Sequence, residues 1–443
     1  MIHSKKIDST IRVEDLLYKI SDKRLPFILD SGKKDLRQGN KTYLGFDPEI
    51  TLKFKDGISY VEGLVNKEIK ANPIDVLKDL MKDYFTEDDR DFIGGAVGYL
   101  SYDFINYNNK IALSTIENVD IYDAYFGIYF KIIEYDTHSG TYTIHYLDDT
   151  NIGELEGAFY LDKTYEKKTF ESSDLIKNVT KVEYAKSFFD TKKLIEEGWV
   201  YEINLTQQFM VETQGDAYSI YRDLRVKNKA DFMAYMDFGD YQILSSSPER
   251  FFKIKDRKVE VKPIKGTIRK SDDPVEDEAL KNKLLNSEKD ISELLMIVDL
   301  MRNDLSMSCD YESVRTIHKY SLETYENVHH LVATIVGILR DDQNIYDFLK
   351  KAFPGGSITG APKIAAMEAI DQVEKYKRNI YTGSLGYISF NENSDFNILI
   401  RSILKKDKAC YFSGGGAITW ESDLESEYEE SIQKVKKIIE VFK

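Results

Sequence analysis

The chain has 443 residues, 42% of them hydrophobic, and a formal net charge of −15. That length suggests one large domain or two to three ordinary ones with a sizeable core. The acidic balance, with no basic stripe, argues against nucleic acid as a partner. No apolar run approaches the ~20 residues of a membrane-spanning helix. Two cysteines, Cys309 and Cys410, are too few for a disulfide framework or a Cys-rich zinc site. The start, MIHSKKIDST, lacks the apolar stretch of a signal peptide, so a cytoplasmic protein is expected.

The first half reads as short strands: ISYVEG at 58–63, YFGIYFKIIEYD at 125–136 and TYTIHYLDD at 141–149, with a turn signal, HSG, at 138–140. A Gly-rich segment, FIGGAVGYLSYD, occupies 92–103, and a polar stretch near 165–180 is the best candidate linker. These features divide the chain into an N-terminal region, 1–170, and a catalytic region, 171–443. In the second, apolar residues at 291, 294, 295, 298, 301 and 305 predict a helix, as do those at 364, 367, 370 and 373 and at 428, 432, 435, 439 and 442. Between them YTGSLGYISF, ILIRSILKKD and KACYFSGGGAITW read as strands. Long helices after runs of strands predict an α+β fold with antiparallel sheets.

Five segments carry candidate chemistry. In VEVKPIKGT (259–267), alternation through Pro263 would put Lys265 on the face of Val259 and Val261. Loss of solvation would then lower its pKa and free a neutral amine, the form a nucleophile needs. The competing reading has Pro263 break the register and leave Lys265 in water. In SSSPERFF (245–252), Glu249 beside two phenylalanines suits a general acid, or an ion pair with Arg250 or another cation. Glu293 shares a helix face with Ile297 and Leu300, so a carboxylate is being buried. With Asp290 one turn earlier, an all-oxygen site for Mg²⁺ and a salt bridge to Arg302 are the two readings. Glu427 and Glu430 lie off the apolar stripe of the last helix, which by default is a solvated face. Finally, PGGSITGAPK (354–363) ends at a helix start, where free N–H groups and Lys363 would attract an anion. The phosphate-loop spacing is absent. FSGGGAITW (412–420) is a second segment where backbone can approach a ligand closely.

Together and in this order, SSSPERF, PIKGT, ELLMIVDLMRNDL, VHHLVATIVG, FPGGSITGAPK, YTGSLGY, ILIRSI and SGGGAITWES resemble the chorismate-utilising enzymes, densely from about 195 to 443. That family includes the component I subunits of anthranilate synthase and aminodeoxychorismate synthase. Anthranilate synthases typically read PIAGT where this chain reads PIKGT, the form typical of the aminodeoxychorismate branch. The resemblance implies an anthranilate-synthase-component-I-like fold, with antiparallel sheets packed as a sandwich among helices. It further implies Mg²⁺ held by Glu293 and Glu430, with Asp290 and Glu427 in support and Asp290 standing where relatives often have Glu. Lys265 would form a covalent intermediate and Glu249 would act as general acid. His330 would lie beside the ring, and Thr267, Thr359, Tyr381, Arg401, Gly415, Gly416 and Lys363 would contact substrate.

Ala417 replaces a common glycine. Glu202, in WVYEINLTQQF, stands where aminating members commonly have Gln and water-adding members have Lys, which argues against isochorismate or salicylate synthesis. Neither cysteine lies in a glutaminase context, so ammonia is expected from a separate class I glutamine amidotransferase, and release of 4-aminobenzoate is expected to need another enzyme. ILDSG at 28–32 resembles the family's tryptophan-pocket segment. The closest rival is anthranilate synthase component I. A Schiff-base lysine enzyme and a catalytically degenerate scaffold are the rivals from other classes.

Overall fold

The computed structural model describes residues 1–31, 40–324 and 328–443. The alternating segments form strands Ile58–Gly63 and Thr141–Leu147 close to where their pattern placed them, while the segment read as one strand at 125–136 divides at Phe130 into Ala124–Tyr129 and Lys131–Asp136, which join different sheets. The three periodic segments become helices Glu288–Ser306, Lys363–Val373 and Leu424–Ile439. Each has a polar first-turn device except the second, which follows Pro362. Ser287 accepts from Asp290 N and Asp423 from Ser426 N.

Among the described residues the strands make two twelve-stranded sheets whose ladders are antiparallel, the architecture expected of an α+β sandwich. Each sheet takes strands from both sides of residue 170. In one, Phe27–Asp30 pairs with Phe232–Asp237. In the other, Gly95–Leu100, from the Gly-rich segment, pairs with Ser384–Ser389. The sheets face each other through a layer rich in aromatic rings. Phe27, Tyr43, Met236 and Ile243 from one sheet pack with Val97, Tyr125, Leu385 and Tyr387 from the other. The hydroxyls of Tyr99 and Tyr241 meet at 2.7 Å inside it, so the polar ends of two buried rings satisfy each other.

The strand carrying Lys265 resolves the question of register. Lys258–Val261 and Ile264–Arg269 both pair with Val328–Ile338, and the pairings Val261↔Ile335, Ile264↔Val332 and Lys265↔Leu331 run without a slip across Pro263. Pro263 offers no N–H, but its carbonyl accepts from Ala333 N at 3.2 Å, so the ladder survives it. The register shifts only after Lys265, where Thr267 faces His330. Gly266 there has φ +71°, and a Cβ on it would lie 3.0 Å from the Asp290 side chain. Glycine therefore serves twice, for the left-handed backbone and for the close approach of the helix that begins at Glu288.

Candidate active site

Lys265 sits inside a ring of carboxylates. Its side chain is 15% exposed, and Nζ lies 3.5 Å from Oε1 of Glu202, whose own side chain is 2% exposed. Burial alone would lower the lysine's pKa, as its place on the strand suggested. The charges of Glu202, Glu293 and Glu249 outweigh that, and the net shift is upward. The expected neutral amine is thus corrected: in the free site Lys265 is held as ammonium. The register-breaking alternative is also set aside, because the ladder continues through Pro263.

Glu249 is buried just before strand Arg250–Lys255, and its Oε1 accepts from Ser357 Oγ at 2.7 Å. Burial raises its pKa, against the pull of Ser357, Lys265, Lys434 and Arg401. The ion pair with Arg250 does not form, because that guanidinium bonds to Asp395 at 2.9 Å and Glu260 at 3.3 Å. Ser357 belongs to the Gly-rich loop, so the loop holds the Glu249 carboxyl in place.

Arg401 was expected on a strand; it lies just before Ser402–Lys406, in the left-handed region with φ 51°. Its carbonyl accepts from Ser246 N at 3.2 Å and Ser246 Oγ at 2.8 Å, which holds that backbone in place. The guanidinium forms no ion pair with a described residue, and burial lowers its pKa while Glu249 opposes. A strained, partly buried cation with no ion-pair partner among the described residues is suited to an anionic ligand.

Other expected contacts divide clearly. His330 Nδ1 and Thr267 Oγ1 share a 2.8 Å hydrogen bond beside Lys265. Tyr381 is buried, which pushes its hydroxyl up to about 12. Thr359 turns its hydroxyl back onto the carbonyls of Gly355 and Gly356 at 3.3 and 3.2 Å, within its own loop. Lys363 is a correction. Its Nζ donates to Asp304 Oδ2 at 2.7 Å, Ala352 O at 2.8 Å and Pro354 O at 3.0 Å. All three protons are taken, so Lys363 is a strut under the loop and has none left for an anion.

The four carboxylates expected to hold a metal come from two helices. Glu293 is partly buried, with Lys289 at 3.9 Å on its own helix; Arg302 instead faces Asp299 at 3.5 Å. Glu427, expected on a solvated face, is buried and accepts from Ser422 Oγ at 2.7 Å. Glu430 pairs with Lys434 at 2.7 Å, and Lys434 also donates to Gly415 O at 2.9 Å. Gly416 lies beneath both acids. A Cβ there would be 3.1 Å from Glu427 Oε2 and 3.5 Å from Glu430 Oε1, which accounts for a glycine at that place. Burial raises Glu293 and Glu427, and neighbouring carboxylates add to it. Burial pulls Glu430 the same way, but Lys434 outweighs it and the net shift is downward. Among the described residues no three His, Cys, Asp or Glu side chains stand close enough to hold a metal ion. The chemistry of the donor set is compatible with Mg²⁺, since every donor is a hard oxygen; Glu293 and Glu427 are desolvated, while the Glu430 side chain is 53% exposed, as its place off the apolar stripe suggested.

Sequence reasoning noted Glu202 only as a departure and passed over Ser357, Lys289 and Lys434. The i,i+4 spacing of Lys289–Glu293 and Glu430–Lys434 was a readable signal; nothing local linked Glu202 or Ser357 to their distant partners. Leu29, Asp30 and Ser31 of ILDSG line a cavity of about 270 Å³ with Tyr43, Phe232 and Tyr387, a lining that does not include Lys265. Gly32 of that segment lies outside the described residues. No helix among the described residues is long and apolar enough to cross a membrane.

Known proteins resemble this chain at the level of family and fold. Residues 26–440 match the family described as chorismate binding enzyme. The chain is 32% identical over 416 residues to aminodeoxychorismate synthase component 1 of Bacillus subtilis (strain 168), covering 90% of this chain and 88% of that one. It is also 32% identical over 400 residues to anthranilate synthase component 1 of Acetivibrio thermocellus, covering 84% and 80%. A crystal structure of anthranilate synthase component I from Streptococcus pneumoniae TIGR4 superposes with a TM-score of 0.81 at 28% identity, covering 92% of this chain and 93% of that one.

Proposed function

This chain belongs to the chorismate binding enzyme family, and from that premise we propose that it is an aminodeoxychorismate synthase component I. It converts chorismate and ammonia to 4-amino-4-deoxychorismate, on the route to 4-aminobenzoate and folate. The observation that carries this reading over anthranilate synthesis is the side chain of Lys265, buried among Glu202, Glu249 and Glu293 where a PIAGT sequence would leave a methyl group. Relatives of similar identity bear both names, so the product is the discriminating quantity.

In this reading Glu293 and Glu430 hold Mg²⁺, with Asp290 and Glu427 in support. When bound, the ion offsets the charge of the substrate's ring carboxylate. Arg401 takes the enolpyruvyl carboxylate as a two-pronged donor. Tyr381, Thr359, Gly415 and Gly416 border that side of the substrate, and His330, braced by Thr267, borders the ring. Lys265 gives its extra proton to water and, as the neutral amine, bonds to C2 of the ring as the C4–O bond breaks, leaving the adduct nitrogen positively charged. Glu249, whose acid form is favoured by burial, protonates the departing hydroxyl so that it leaves as water. Ammonia then bonds to C4, the C2–Nζ bond breaks, and the lysine is regenerated.

The ammonia is supplied by a class I glutamine amidotransferase, in keeping with relatives named component 1. The cavity lined by Leu29, Asp30, Tyr43, Phe232 and Tyr387 is the candidate tryptophan site in this reading; calorimetric titration with tryptophan tests that assignment.

The function is tested by mixing the protein with chorismate, Mg²⁺ and an ammonium salt and resolving the products by chromatography. A product that added aminodeoxychorismate lyase converts to 4-aminobenzoate is the expected outcome. Fluorescent anthranilate would overturn the assignment in favour of the rival. Chelation with EDTA should stop turnover, and Mg²⁺ should restore it.

A further inference from the structure

Glu202 is the buried acid that the steps above leave without a task. It opens strand Glu202–Glu212, and the short strand Gly360–Ala361 of the Gly-rich loop pairs onto it. That pairing fixes its backbone against the loop that seats Glu249. The residue is 1% exposed. Oε1 faces Lys265 Nζ at 3.5 Å, while Oε2 is buried with no hydrogen-bond partner among the described residues. A desolvated carboxylate oxygen with no donor is costly, and it persists where a ligand supplies the donor. The ligand must bring N–H or O–H groups, be small, and tolerate Lys265 beside it.

We propose that Glu202 is the docking residue for the nitrogen co-substrate, with Oε2 receiving it as ammonium while Oε1 faces Lys265. This inference rests on the amination reading above. One carboxylate then serves the amine that enters and the amine that leaves, an oxygen for each. The step balances. Bound ammonium gives one proton to Glu202, and the resulting ammonia bonds to C4. The C2–Nζ pair of electrons returns to nitrogen, so Lys265 departs as a neutral amine. The proton on Glu202 passes to that amine, which restores the ammonium form of Lys265 and the carboxylate. The product nitrogen carries the remaining charge, and the total is unchanged across the step. A neutral amide at this position accepts hydrogen bonds but takes no proton and attracts no cation.

The test compares the full chain with Glu202→Gln in ammonium chloride, at an ionic strength kept constant with sodium chloride. The KM for ammonium should rise roughly tenfold or more, as expected for loss of a charge-assisted contact, and that for chorismate should change little. The covalent Lys265 adduct, read by intact-mass spectrometry without ammonium, should form at least as fast, because the lysine loses an anion that keeps it protonated. An unchanged ammonium KM, with product still formed by the wild type, overturns the docking role alone. Failure of the variant to form the adduct overturns it too, by assigning Glu202 to the first step. Absence of any aminated product from the wild type removes the underlying reading, and the inference with it. Glu202→Met, which keeps the volume without the charge, should show the same rise in ammonium KM. Thermal unfolding of both variants establishes that the folded protein is compared.

Discussion

Two largely buried lysines, about a hundred residues apart in sequence, show how the same side chain is tied down in one place and left open to exchange in the other. Lys363 lies under the Gly-rich loop with its side chain 9% exposed, and it spends every proton on Asp304 and two backbone carbonyls at 2.7–3.0 Å. Lys265, 15% exposed on its strand, has one contact, at 3.5 Å, and three carboxylates acting on it through space. Complete local satisfaction fixes a loop. Incomplete satisfaction leaves an amine that can exchange one partner for another, as a nucleophile must.

The sharpest way to break this contrast is Lys265→Ala. Turnover to aminodeoxychorismate should fall about 10³-fold or more, while the denaturant midpoint moves little. Chromatography of the residual products shows whether anthranilate-type activity is exposed. An unchanged rate would remove the mechanistic assignment and leave the family membership untouched.

Glu249→Gln should slow the reaction by ~10²- to 10⁴-fold, the range for loss of a positioned acid. Burial raises the pKa of Glu249, so its acid form persists above the usual carboxylate range and is lost as pH rises through the raised value. Wild-type adduct formation should therefore fall on that limb, and the amide variant should lose the limb along with the rate. The sign for stability is the same. The gain from burying this group neutral is complete below its unfolded pKa and disappears as pH rises through the folded one.

Lys363→Met sharpens the contrast from the other side. Removing one partner of a buried pair strands Asp304, so urea unfolding should show a loss of about 3 kcal/mol or more. The chorismate KM of the folded protein should stay within a few-fold of wild type. A selective rise in that KM, with stability kept, would return Lys363 to the substrate. At the small end, Arg302→Ala disturbs only an exposed pair with Asp299 at 3.5 Å and should cost under about 0.5 kcal/mol by the same measurement.

Much of this protein was legible in the chain. The helices at 288–306, 363–373 and 424–439 follow from 3.6-residue apolar periods, and the strands at 58–63 and 141–147 from β-branched and aromatic alternation, because both patterns are local. The order of PIKGT, SSSPERF and the glycine segments was sufficient to recognise the family. The default reading of Glu427 as solvated failed because its helix packs against the strand bearing Gly416, and a glycine leaves room to bury an acid. Lys363 misled for a similar reason: helix-start logic sees free N–H groups but not Asp304, 59 residues away.

The sequence by itself determined most of the elements and the family, and it singled out the candidate reactive side chains, since these depend on period, turn chemistry and residue type. Only the tertiary structure decided their protonation and partners. It joined Glu202 to Lys265 across 63 residues and Ser357 to Glu249 across 108, and it made Lys265 an ammonium in the free site. Charge and desolvation act through space, so a pKa belongs to the assembled pocket, whatever the strand pattern around the residue.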